Sequence, residues 1–165
     1  MSRSYELLDV DKVTFGAVGE PGQRLFLLQA RAGAQLVTLK IEKLQVAALA
    51  AHLGTMLQDL PRPGHLPEDL DLDEPTDPEW VVGTLGASYD EVLDRLLLVV
   101  EEAVVEGEEP AEARLGLTRE QVAALAMHGT LLVEAGRPPC PLCGYPLDQR
   151  GHDCPRTNGH RPPAL

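Results

Sequence analysis

Two stretches of this chain repeat almost letter for letter. Gln45–His52 reads QVAALAAH and Gln121–His128 reads QVAALAMH, identical at seven of eight positions at a constant offset of 76. A repeat at that spacing restricts the fold to two related units packed on one another, because each unit is short enough to need its neighbour to bury an apolar face. The flanks point the same way. Gly16-x-x-Gly19 precedes the apolar run Leu25–Ala30, and Gly83-x-x-Gly86 precedes the run Leu93–Val100. Each half therefore reads as a glycine turn, apolar strands and an amphipathic helix.

In the first half, Val13, Phe15 and Ala17 alternate with Thr14 and Gly16, which predicts one strand over Tyr5–Val18. Glu20-Pro21-Gly22-Gln23 has the composition of a β-turn. Strands follow at Arg24–Arg31 and Gln35–Ile41, an antiparallel meander. A helix from Glu42 to Leu60 then places Val46, Leu49, Ala50, Leu53, Met56 and Leu57 on one stripe, and Pro61 and Pro63 end it. In the second half, Asp90–Glu106 fits strand or helix by periodicity alone, and the repeat register selects strand. After a short strand at Arg114–Leu117, Thr118-Arg-Glu-Gln121 forms a capping box for a helix that runs to Ala135 and stops at Gly136.

The expected architecture is α+β: two pseudo-repeated antiparallel β-meander plus helix halves, residues 1–60 and 80–136. An acidic, proline-rich connector, 61–79, joins them, and a zinc-knuckle tail, 137–165, completes the chain. The connector reads as solvated and mobile. With 44% hydrophobic residues but only 4% aromatics, the core must be aliphatic. The net charge of -12 repels phosphate backbones and argues against a nucleic-acid binder. Met1-Ser-Arg-Ser-Tyr5 lacks the apolar stretch of a secretory leader, and no apolar run approaches the roughly 20 residues of a membrane span. A cytoplasmic protein without membrane attachment is the expectation.

All three cysteines fall in the tail: Cys140-Pro-Leu-Cys143-Gly144, then His152-Asp-Cys154. Two thiolates from a tight Cys-x2-Cys turn, with a thiolate and an imidazole two residues apart on an extended segment, make a tetrahedral Cys3His set. Such a set leaves no open coordination position, so the zinc it would hold is structural. His160 is the rival fourth ligand to His152, and free thiols are the alternative to any metal. A redox dithiol fits less well, because Pro139 and Pro141 flank the pair where a helix would have to begin. Arg150, Arg156 and Arg161 leave the tail basic. They could meet phosphate or an acidic partner, or pair with this protein's own acidic surface.

His52 and His128 occupy equivalent positions on the two helices, which suits either paired acid–base chemistry or local hydrogen bonding. His65 falls in the connector, and Glu101, Glu102, Glu106, Glu108, Glu109 and Glu112 read as a solvated charge run. No nucleophile elbow, phosphate-cradling loop or HExxH is present. A non-catalytic, protein-binding role is expected. The competing readings are an enzyme with a cleft between the halves and weak nucleic-acid contact through the knuckle. An aliphatic sheet edge could also pair with a second copy.

Several segments together carry a resemblance: Gly19-Glu-Pro-Gly-Gln-Arg24, Glu79-Trp80-x-Val-Gly83, Gly136-Arg-Pro-Pro-Cys-Pro-Leu-Cys143-Gly, and Gly151-His-x-Cys-Pro-Arg-x-Asn-Gly159. By these the chain resembles an actinobacterial family of unknown function that includes ParJ-type proteins, associated with the chromosome-partitioning ATPase ParA. The resemblance implies a ParA-type ATPase as partner and brings no catalytic residues with it.

Overall fold

The computed structural model describes residues 2–20 and 22–135. In chain order the elements are β1 (Tyr5–Leu7), β2 (Lys12–Val18), β3 (Leu25–Ala32), β4 (Gln35–Ile41), α1 (Lys43–Gln58), β5 (Val82–Asp90), β6 (Arg95–Glu102), β7 (Glu112–Leu117) and α2 (Arg119–Glu134). Over the described residues the protein is α+β, with two sheets and two helices. One sheet has the order β2-β3-β4 and the other β1-β7-β6-β5.

Each half is thus a three-stranded antiparallel meander followed by a helix, and the two helices start 76 residues apart, at Lys43 and Arg119. The correspondence carries into the sheets, at the same offset from β4 to β7 and at slightly shorter ones for the other two strand pairs. The core row Phe15–Leu28–Leu39 of the first sheet corresponds to Ala87–Leu98–Leu115 of the second, and Val13–Ala30–Val37 to Leu85–Val100–Ala113. These rows, with Val46, Leu49 and Leu53 of α1 and Val122, Leu125 and Ala126 of α2, form one aliphatic core. At Gly129 of α2 an added Cβ would lie 2.9 Å from the Phe15 ring and 3.4 Å from Ala50 of α1. Only a residue without a side chain lets α2 settle there.

The expected strand over Tyr5–Val18 is two elements. Residues 5–7 leave the first meander and pair parallel with β7, and Val10 N–H then donates to Gly116 C=O at 3.3 Å. The segment before β5 makes the reciprocal move. Glu79 N–H donates to Thr38 C=O at 2.8 Å and Lys40 N–H to Trp80 C=O at 3.0 Å, so residues 79–81 run parallel beside β4. Each half therefore lends its leading segment to the other half's sheet. The helix caps repeat this exchange. Gln45 accepts from Glu42 N–H at 2.9 Å while its amide donates to the Val82 and Gly83 carbonyls. Gln121 accepts from Thr118 N–H at 2.9 Å and donates to Val10 C=O at 2.7 Å.

Two glycine readings differ from expectation. Gly16, Gly83 and Gly86 sit inside strands rather than in turns, while Gly19 and Gly22 take φ +97° and +90° in the β2–β3 turn. Gly83 is needed because the Ala103 backbone would lie 2.8 Å from a Cβ there. In Asp90–Glu106, β6 occupies 95–102 and a tight turn holds the rest of the hairpin. Asp90 accepts from the Val92 and Leu93 amides, and Asp94 takes φ +49°.

Candidate functional site

The outward faces of the two meanders carry opposite chemistry. On the first sheet the outward rows are Lys12–Arg31–Leu36, Thr14–Gln29–Thr38 and Gly16–Leu27–Lys40, with three cations and no carboxylate. On the second they are Thr84–Glu101–Glu112, Gly86–Val99–Arg114 and Ser88–Leu97–Gly116, with Glu6 of β1 beside Arg114.

The first face is covered. Residues of the connector cross it, and its polar row makes the bonds. Thr14 Oγ1 donates to Leu70 C=O at 2.6 Å, and Gln29 Nε2 donates to Asp73 C=O at 2.8 Å. Gln29 Oε1 accepts from Asp73 N–H at 2.7 Å, and the Gln29 amide also reaches Thr38 Oγ1. Leu72 fills the space over Gly16, where a Cβ would be 2.4 Å from its branched end. Lys12 pairs with Asp69 at 3.2 Å and Asp73 at 3.3 Å. Asp73 Oδ2 has no hydrogen-bond donor among the described residues and lies 3.9 Å from the Arg31 guanidinium, an ion pair without a hydrogen bond. The Asp69 carboxyl is held below the usual carboxylate range, first by the Asp71 amide and then by Lys12. Thr14, Gln29 and Thr38 end up 1–3% exposed. At its start the connector is tied to α2, where Arg119 donates to the Pro61 and Arg62 carbonyls and Glu120 accepts from Gly64 N–H. The mobile linker expected from composition is hydrogen-bonded at its start, middle and end, because basic and polar outward positions on β2, β3 and β4 offer its acidic, extended backbone a template.

A pocket of about 170 Å³ at the rim of this strap is lined by Asp11, Lys12, Arg31, Asp69 and Gln121 among others. Lys12 is already committed to two carboxylates, so the pocket works as part of the strap's anchor.

Among the described residues the second face is crossed only at its Gly116 end, by the Leu8 backbone, and Gly86 and Arg114 stay exposed. Leu97 and Val99 point outward and are half-buried, while Leu96, Leu98 and Val100 on the same strand point inward and are buried. Gly86 is exposed, and a Cβ placed there meets nothing within 4 Å. Around this apolar centre Thr84 Oγ1 donates to Glu101 at 3.1 Å and Arg114 pairs with Glu112 at 3.4 Å. An antiparallel strand that is apolar on both faces normally has both faces covered. The pattern LLLVV was the available signal in the sequence; what it lacked was which leucines point out.

The metal-ligand candidates Cys140, Cys143, His152 and Cys154, and the rival His160, lie outside the described residues. His52 is exposed on α1 and His128 half-buried on α2, and neither hydrogen-bonds a carboxylate among the described residues. His65 lies 3.7 Å from Glu68 in the exposed connector. Among the described residues no three His, Cys, Asp or Glu side chains come together as a metal site. No helix there is long and apolar enough to cross a membrane.

A family model described as a protein of unknown function, DUF3090, matches residues 5–154, and the chain belongs to that family. No curated protein and no solved structure matches it.

Proposed function

We propose, from the premise of an uncharacterised family, that this chain is a non-catalytic cytoplasmic interaction protein that regulates a partner, with a structural zinc in its tail. The observation that supports it is the second sheet's outward face, apolar at Leu97 and Val99 and rimmed by charge, in a molecule whose equivalent face is covered. Open apolar patches with polar rims are where soluble proteins bind one another. A ParA-type partitioning ATPase is the partner that the resemblance suggests.

The donor set of the tail suits zinc: Cys140, Cys143 and Cys154 supply thiolates and His152 an imidazole. Bound there, the ion would have all four positions filled by protein and would staple the tail rather than activate water. Purified chain is expected to hold about one zinc. Cys140→Ser with Cys143→Ser should lose both the metal and thermal stability. Titrated into a purified ParA-type ATPase, the intact chain should change the ATP hydrolysis rate. An unchanged rate at saturating chain would remove the ATPase, and a metal-free chain of undiminished stability would remove the zinc.

A further inference from the structure

The molecule displays, on its first sheet, how a face of this shape is bound. An extended segment, Asp69-Leu-Asp-Leu-Asp73, lays acidic side chains against Lys12 and Arg31 and sets Leu72 over a strand glycine. The second sheet repeats the geometry with the charges inverted. Row by row, Glu101 stands where Arg31 stands and Glu112 where Leu36 stands, and Glu6 borders the centre, with Arg114 as the one central cation. Gly86 on edge strand β5, at the place of Thr14 in the first sheet, leaves a depression beside Val99 that no described residue fills.

Resting on the interaction reading above, we propose that this face docks an extended segment of another protein that alternates basic and aliphatic side chains. Its arginines or lysines meet Glu6, Glu101 and Glu112, and an aliphatic side chain enters over Gly86 and packs on Val99 and Leu97.

The test uses the full chain and a fluorescein-labelled nine-residue peptide of alternating arginine and leucine, read by anisotropy. A peptide of alternating aspartate and leucine is the control. The Arg–Leu peptide should bind and the Asp–Leu peptide should not. Glu101→Lys with Glu112→Lys should weaken binding at least roughly tenfold, and Gly86→Val, which fills the depression, should do the same with its folding intact by Trp80 fluorescence. Glu20→Lys with Asp59→Lys, remote from the face, should leave affinity unchanged. Equal losses in the two charge-reversed pairs would mean diffuse attraction to an acidic protein and would overturn the proposal. So would a chain that self-associates until Glu101→Lys with Glu112→Lys separates it, which makes the occupant a second copy. Binding that emerges only after Arg150→Glu with Arg156→Glu would assign the face to residues 136–165 instead. If a ParA-type ATPase responds equally to the wild type and to Gly86→Val, the docking face fails and the interaction reading stands. No response of the ATPase, alongside peptide binding that follows these variants, fails that partner and keeps the face.

Discussion

Gln29 shows how much one buried amide can organise. Its oxygen accepts from Asp73 N–H and its nitrogen donates to Asp73 C=O and Thr38 Oγ1, all in a side chain 2% exposed. Gln29→Ala would leave a buried N–H and C=O unpaired and should cost about 1–3 kcal/mol in urea unfolding. Nothing in the residue itself says that a segment 44 positions later will cover it. The strand glycines give a sharper comparison. Gly16→Val collides with Leu72 and should destabilise by about 1–3 kcal/mol, whereas Gly86→Val meets open space and should change stability by under about 0.5 kcal/mol. Asp69 adds a pH signature. Its folded pKa is depressed, so its contribution is complete above the ordinary aspartate value of about 3.9 and is lost as pH falls through the lower folded value. The Asp71 amide shift in a nitrogen–proton spectrum should therefore titrate below that ordinary value, and Lys12→Met should move the midpoint upward.

Among the elements, the helices were the most legible. The stripe Val46, Leu49, Ala50, Leu53 is buried as its spacing required, and Thr118 with Gln121 closes the predicted box, Gln121 N–H donating to Thr118 Oγ1 at 3.1 Å. What periodicity could not reveal is that both cap glutamines also hold the opposite half. Thr118→Ala removes only a cap and should cost about 1 kcal/mol. Gln121→Ala also releases Val10 C=O and should cost more, about 1–3 kcal/mol, with Gln45→Ala behaving alike in the same urea titration. Strand β6 was ambiguous for a physical reason: Leu96, Leu97, Leu98, Val99 and Val100 satisfy both periods, and only its pairing with β5 and β7 decides between them. The candidate face was hidden by the same ambiguity.

At the scale of the molecule, the exchange of leading segments couples the halves. Trp80, 5% exposed, donates its indole N–H to Arg3 C=O at 2.9 Å, and Tyr5 donates to Glu79, so the two leading segments hold each other as well as the sheets they join. Burial and then the Glu79 carboxylate push the Tyr5 phenol up, as an acceptor charge beside a hydroxyl must. Residues 2–135 should consequently unfold in one transition, with Trp80 fluorescence and far-UV circular dichroism sharing a midpoint. The repeat foretold two like units but not this handshake, because pairing between distant segments leaves no periodic trace. It has a practical corollary. Severed between His65 and Glu68, the polypeptide would become two fragments, each carrying a strand that belongs in the other's sheet. Mixed in a tube they should knit without a peptide bond, and fused to two bait proteins they would make a complementation reporter whose readout is the lone indole.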